Sequence, residues 1–393
     1  MNAFDWRSLV LRVARDAGAS ALAVTAATPD ERTSVRMRAA FAGDEFATWG
    51  YDDAYAAKAA DPGALLPGAR SVLCVAIAYA HPEPAAPEPL RGRVSNYAWS
   101  ADYHVRVRDV LARIAAELDA ACGSSVTRVV CDTAPFAERA FAARAGLGWI
   151  GKHTNLIAPA LGSFVFLGEI VTTLEIAPDA PLRKTCGSCE RCVSVCPTGA
   201  LRGDYTIDAS RCISDLTQRT DAVPRELRPY IGDWIWGCDL CQLACPPTQR
   251  ASPCADAAFA AASDANARPS LLELLALRSG EFKRRFRGTA MGWRGAAVLR
   301  RNAAIALGNA LDRASVPALE VSCAKDPHPL VRGHAAWALG RIASPRAIAA
   351  LRARRERETD PAVLEEIEAA LVPYCNRRVT ARLTQKATKV ALR

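Results

Sequence analysis

The chain has no apolar run long enough to span a bilayer. Its longest, residues 163–171, is interrupted by Gly168 and Glu169. The N-terminal segment MNAFDWRSLVLRVARDAG has no basic region followed by a long apolar stretch and no twin-arginine export signal. It reads as an amphipathic helix instead. These absences predict a cytoplasmic protein with no membrane contact. Disulfide scaffolding is also excluded, because 14 cysteines in 393 residues are too sparse for a small cross-linked fold.

What is present is an ordinary globular composition, 50% hydrophobic and 23% charged, in a chain long enough for two or three domains. The net charge of +9 points either to an acidic partner such as nucleic acid or to compositional drift toward arginine. Residues 1–175 look mixed α/β. Short apolar runs at 21–25, 71–78 and 128–131 have strand length, and helical periodicity appears at 105–121 and 136–145. Residues 155–158 and 163–171 flank Pro159-Ala-Leu-Gly162 and predict a hairpin. The Pro- and Ala-rich segment 81–90 predicts a surface loop.

The cysteines concentrate in residues 176–262. From 263 to 375 the pattern is helical and repetitive. Val298-Leu-Arg-Arg-Asn-Ala-Ala-Ile-Ala-Leu-Gly-Asn309 matches Leu330-Val-Arg-Gly-His-Ala-Ala-Trp-Ala-Leu-Gly-Arg341, and a degenerate third copy covers 362–371. Leu307, Leu339 and Leu371 recur at one constant interval, as in short HEAT-type repeats. The arginines of Lys283-Arg284-Arg285-Phe-Arg287 and Arg300-Arg301 fit either a phosphate-facing surface or a solvated helix face. The tail 376–393 carries six basic residues and no acidic one, and is expected to be flexible.

The run Cys186-x2-Cys189-x2-Cys192-x3-Cys196-Pro197 has the spacing of a double 4Fe–4S module. Cys238-x2-Cys241-x3-Cys245-Pro246 supplies the last three positions of a second run, with its first displaced upstream to Cys212. In such runs the cysteine before proline ligates the other cluster. The expected sets are therefore Cys186, Cys189, Cys192 and Cys245 for one cubane, and Cys196, Cys212, Cys238 and Cys241 for the other. Zinc is the competing reading, but zinc ribbons use paired Cys-x2-Cys without the further cysteines and prolines. Cysteines 74, 122, 131, 254, 323 and 375 lack ligand spacing and read as small hydrophobes.

Several segments together resemble the epoxyqueuosine reductase family. They are Cys131-Asp-Thr-Ala-Pro-Phe-Ala-Glu-Arg-Ala-Phe-Ala-Ala-Arg-Ala-Gly-Leu-Gly-Trp-Ile-Gly-Lys152, Trp236-Gly-Cys-Asp-Leu-Cys-Gln-Leu-Ala-Cys-Pro246, Asp61-Pro-Gly-Ala-Leu-Leu-Pro-Gly-Ala-Arg-Ser-Val72, Asp102-Tyr-His104, and Phe282-Lys-Arg-Arg-Phe-Arg-Gly-Thr289 leading into Arg301-Asn-Ala-Ala-Ile-Ala-Leu-Gly308. The resemblance implies an α+β chain. It has a nitroreductase-like, reductive-dehalogenase-like cobalamin-binding domain (1–175), a ferredoxin-like double-cluster module (176–262), HEAT-like repeats (263–375) and a basic tail (376–393).

It further implies reduction of epoxyqueuosine to queuosine at the wobble position of tRNA. Cobalamin and two 4Fe–4S clusters would serve a monomer fed by an external donor such as a flavodoxin or ferredoxin. Opening an epoxide is easier when its oxygen is protonated as it leaves, and the resemblance makes Asp132 the proton donor. Without it, Asp132 reads as an N-cap for the helix at 136–145. The implied corrin contacts are Lys58, Tyr97, His104, Asp132, His153, Asn155, Leu156, Leu167 and Arg219, with His153 otherwise a surface turn residue. Lys58 stands where the family has arginine, and Asp215, beside Arg219, where an aromatic is commoner. The nearest string to a cobalt-ligand motif, Asp326-Pro-His328, lacks its glycine and lies in the repeats. Trp234 and Trp236 read as shields for the clusters.

Overall fold

The computed structural model describes residues 4–43, 45–46, 50–85 and 89–372. The basic tail, Cys375 and part of the loop at 81–90 lie outside them. Eight strands are present among the described residues: β1 Ala21–Ala26, β2 Ser71–Ala78, β3 Arg93–Val94, β4 Thr127–Val130, β5 Trp149–Ile150, β6 Leu156–Ile157, β7 Val165–Thr172 and β8 Trp234–Trp236. Four of them form an antiparallel sheet in the order β1-β2-β7-β4.

The two faces of β2 build two cores. Leu73, Val75 and Ile77 pack under the helices Trp6–Ala17 and Tyr103–Cys122, whereas Val72, Cys74 and Ala76 pack with Phe141 and Ala142 of the helix Glu138–Arg144. Side chains alternate along a strand, so a strand covered on both sides reads as one apolar run. Gly168 of β7 permits the close approach of the first layer. A Cβ there would sit 2.6 Å from Leu111.

The expected hairpin is a turn without a ladder. Gly162 takes a left-handed φ of 70° and donates its N–H to Ala158. However, β6 pairs with β5, and β7 runs on into the sheet between β2 and β4. Central sheet pairing thus overrides the local hairpin.

The cysteine segment is built from short helices and the parallel pair β3–β8. It shares one core with the C-terminal helices. Trp234, Ile235 and Trp236 are buried with Leu299, Ala303 and Ile305. The repeats stack closely at equivalent glycines. A Cβ on Gly308 would lie 2.7 Å from Trp337, and one on Gly340 would lie 2.6 Å from Ala370.

One reading of the repeats is overturned: Arg300 and Arg301 face no phosphate. Arg300 is ion-paired with Asp326 at 2.7 Å. Arg301 is 0% exposed. It donates to the carbonyls of Leu216, Arg219 and Asp221 and to the Asn302 side chain, while Asn302 donates to the carbonyls of Thr217 and Ile235. The Arg-Asn pair thus pins the first repeat to the segment around Cys212 and Cys238. Burial lowers the Arg301 pKa to about 9. Arg301→Ala would leave three carbonyls without their donor and is expected to cost about 3–5 kcal/mol. Denaturant unfolding checks this, and a loss under about 1 kcal/mol would contradict a pinning role.

Candidate active site

Asp132 lies two residues beyond β4, in the left-handed region at φ 54°. That conformation is costly for a residue with a Cβ, and three bonds hold it. Thr133 N–H donates to the Cys131 carbonyl at 2.6 Å, closing the turn. Asp132 N–H donates to Glu138 Oε1 at 2.6 Å. His104 Nε2 donates to Asp132 Oδ2 at 2.9 Å. Asp132 is not a helix cap, because the helix Glu138–Arg144 is preceded by Ala137 and has no side-chain cap.

His104 sits in the first turn of the helix Tyr103–Cys122. Asp102 caps that helix by accepting from His104 N–H at 3.1 Å, and also binds His104 Nδ1 at 2.7 Å. The imidazole is therefore held between two carboxylates. The bond to Asp132 raises the His104 pKa above its usual 6.5 against the opposing effect of burial, and Asp102 adds to the rise. The same bond lowers Asp132 below its usual 3.8. Tyr103 stacks on Phe166 and on His104, with ring centroids 4.3 and 4.1 Å apart.

Beside this group lies a cavity of about 320 Å³. Tyr97, His153, Asn155, Leu156 and Leu167 line it together with Cys196, Cys212, Cys238 and Cys241. Five of the residues expected around a corrin are thus brought together. His153 is buried rather than a surface turn residue. Its Nδ1 accepts Asn155 N–H at 3.3 Å, which leaves Nε2 as the protonated nitrogen. Nε2 is buried and has no hydrogen-bond partner in the protein. Burial lowers the pKa of His153 to about 4, so the ring is neutral.

Four expected residues do not line it: Asp132 and His104, which form the acid–imidazole pair, and Lys58 and Arg219. Lys58 is exposed near the end of the helix Asp53–Ala59 and does not line the cavity. Arg219 is buried and fixed to Asp215 and to the Ser210 carbonyl. The departure at Asp215 thus gives Arg219 a local partner in place of a ligand. Residues that sequence reading missed include Arg139, on the cavity wall and bonded to the Thr154 carbonyl at 2.7 Å. Asp239 is another. It is buried behind Cys238 and accepts from Ser95 Oγ and Asn96 N–H. Arg139 lies inside the family-like segment, but nothing in its local pattern distinguishes it from a surface arginine. Trp234 and Trp236 are buried, and Trp236 Nε1 donates to the Tyr97 hydroxyl at 2.8 Å.

The described cysteines are all free thiols. Burial is the largest cause that raises Cys192, Cys212, Cys238, Cys241 and Cys245, and neighbouring thiols add to it. After burial, the neighbours that raise Cys192 are Cys186, Cys245 and Cys189; Cys245 is raised by Cys186 and Cys189. After burial, Cys241 is raised by Cys212, Cys196 and, more weakly, Cys192, Cys238 by Cys241 and Cys212, and Cys212 by Cys196. Thiols whose charged form is disfavoured chiefly by burial, and further by neighbouring thiols, suit a cationic metal core that would neutralise them. Cys196, Cys212, Cys238 and Cys241 line the one cavity together, whereas Cys189 is exposed.

Paired thiolate sets leading to a cavity, with an acid–imidazole pair beside it, define a two-cluster iron–sulfur oxidoreductase. Residues 185–248 match the family model for a 4Fe-4S double cluster binding domain, residues 60–133 match epoxyqueuosine reductase QueG, DUF1730, and residues 295–372 match HEAT repeats. The epoxyqueuosine reductase of Bacillus subtilis is 33% identical over 382 residues, covering 94% of this chain and 96% of that one. The chain belongs to the epoxyqueuosine reductase family.

Two solved structures of family members agree with the fold. One holds an epoxyqueuosine-modified tRNA-Tyr stem loop (TM-score 0.87, 32% identity, 94% of this chain and 99% of that chain). The other, from Bacillus subtilis, has its catalytic loop swung out of the active site (TM-score 0.86, 32% identity, 94% and 99%). Among the described residues no helix is long and apolar enough to cross a membrane.

Proposed function

We propose that this chain reduces epoxyqueuosine to queuosine in the anticodon loop of tRNA, in the cytoplasm, with two 4Fe–4S clusters and cobalamin. The observation that carries this reading is the cavity lined by four thiols together with His153, and linked through Tyr97 and Tyr103 to the Asp132–His104 pair.

The residues present fit both cofactors. Cys186, Cys189, Cys192 and Cys245 would hold one cluster, and Cys196, Cys212, Cys238 and Cys241 the other. The corrin would be held by Tyr97, His153, Asn155, Leu156 and Leu167. The buried His153 Nε2–H offers a donor to an acceptor on the ring periphery, not a ligand to cobalt. His328 is no cobalt ligand either, since its side chain caps the helix Pro329–Ile342. Lys58 and Arg219 leave the proposed set. Bound cobalamin would supply low-valent cobalt for two-electron reduction of the epoxide carbon.

The protein's own part is proton delivery. As the epoxide C–O bond breaks, the oxygen takes a proton from the Asp132–His104 pair. Two electrons and a second proton complete loss of that oxygen as water and leave the ring alkene. Electrons would enter at the cluster with the exposed Cys189, from a flavodoxin- or ferredoxin-type carrier, to a monomeric enzyme.

The tRNA face is supported by the loop after the helix Ser279–Phe286. The Gly288 carbonyl accepts Asp102 N–H at 2.8 Å, which joins this loop to the acid pair. Trp293 is 50% exposed there, with the Arg294 guanidinium 3.6 Å from its ring centre, and Lys283, Arg284 and Arg287 are exposed nearby. Aromatic and guanidinium planes of this kind stack on unpaired bases.

A pH profile of single-turnover queuosine formation tests the reading. His104 is raised, so the pair holds its proton below the usual 6.5 and loses it as pH rises through the higher value. The rate is expected to be level on the acid side and to fall on the alkaline side. His104→Asn should lower it about 100-fold and move that limb. A rate unchanged across the alkaline range in wild type would contradict proton delivery by this pair.

A further inference from the structure

Behind Asp132 lie two carboxyl groups that the reaction scheme does not use. Glu138 accepts the Asp132 amide at 2.6 Å. Glu169 is wholly buried in β7, opposite Val130 of β4 and Cys74 of β2, and neither of its oxygens has a hydrogen-bond partner. A solvent-separated role is excluded for Glu169 by its position in the centre of the sheet. A purely structural carboxyl would be expected to find donors. Its neighbour does have one, and that donor is the backbone of the residue that delivers the proton.

We propose that Glu138 is a positioning residue. Its carboxyl oxygen latches the amide of Asp132 and so holds that residue in the left-handed turn that directs its carboxylate to His104. Burial pushes both carboxyls up, and Glu138 adds to the rise of Glu169. Glu169 is the deeper and unpartnered of the two, and Glu138 is the acceptor for the Asp132 amide. Without the latch, Asp132 has two remaining restraints, the short Thr133–Cys131 turn bond and His104. A φ of 54° would then be held mainly from the side-chain end. This inference rests on the reading of Asp132 as proton donor, but the latch has its own readout.

The test compares Glu138→Ala, Glu138→Asp and Glu138→Gln with wild type in two measurements. The first is amide hydrogen exchange over residues 131–137 in the protein without substrate. The second is single-turnover rate with the clusters and cobalamin loaded, set beside KM for the epoxyqueuosine stem loop. Glu138→Ala should exchange at least about 10-fold faster in that segment and lose about 10–100-fold in rate with KM unchanged, as misplacement of a catalytic group by about 1 Å does. Glu138→Asp keeps the charge but shortens the reach, and should behave like the alanine variant. Glu138→Gln keeps the acceptor and should recover most of both losses.

Wild-type exchange in Glu138→Ala overturns the latch. So does recovery by aspartate but not glutamine, which would assign charge rather than position. If Asp132→Asn itself keeps the wild-type rate, the proton-donor reading fails, while faster exchange in Glu138→Ala still reports the latch.

Discussion

Cys245→Ser is expected to remove the cluster whose other three ligands lie more than fifty residues earlier in the sequence, and to spare the one beside its own motif. Iron should fall from about eight per chain to about four. Electron paramagnetic resonance should then show that the surviving cluster is the one lost in Cys241→Ser. Cys196→Ser should behave like Cys241→Ser and not like Cys192→Ser. The reasoning is spatial. Cys196, Cys212, Cys238 and Cys241 line one cavity, and Cys186, Cys189, Cys192 and Cys245 do not. All of these variants should fail to form queuosine, because either break interrupts the path from the exposed Cys189 to the cavity. If Cys245→Ser and Cys241→Ser lose the same signal, the crossed assignment is wrong.

The second large effect is expected at Asp132. Asp132→Asn keeps the size and loses the ionisable group, so clusters, corrin spectrum and stem-loop binding should match wild type while the chemical step slows about 10²–10⁴-fold. The loss comes from two sources. The amide cannot relay a proton, and His104, relieved of the stronger of its two partners, returns toward its ordinary pKa. Asp102→Asn should do less, because Asp102 touches only the far nitrogen of the ring. An Asp132→Asn enzyme within threefold of the wild-type rate (roughly 0.6 kcal/mol in barrier) would remove the proton-delivery scheme.

Local pattern made much of this architecture readable. The cysteine spacing marked the cluster module because four soft ligands per cubane permit few spacings. The two-sided burial of β2 showed as an apolar run, and the repeat showed because Leu307-Gly308 and Leu339-Gly340 meet the same steric need. What failed to show was burial of polar groups by distant partners. Arg301 in a basic run looks like a phosphate contact until its acceptors, the carbonyls of residues 216–221, are brought to it from more than seventy positions away. His153 read either as a corrin contact or as a surface turn residue, because the cavity around it is assembled from both the α/β sheet and the cysteine segment.

Asp132 was ambiguous for a similar reason. A carboxylate before a helix is usually a cap. Only its left-handed backbone and the imidazole of His104, 28 positions earlier, show that it is turned away from the helix. Glu138 left no sequence trace of a special role, since an acidic residue in a first helical turn is common.

The account is tested most directly by anaerobic turnover of an epoxyqueuosine-bearing anticodon stem loop, followed by nucleoside mass spectrometry. Protein loaded with both clusters and cobalamin should convert the epoxide to queuosine, with two electrons consumed per product, and protein loaded with clusters alone should not. Queuosine formed without cobalamin, or none formed by the fully loaded protein, would contradict it.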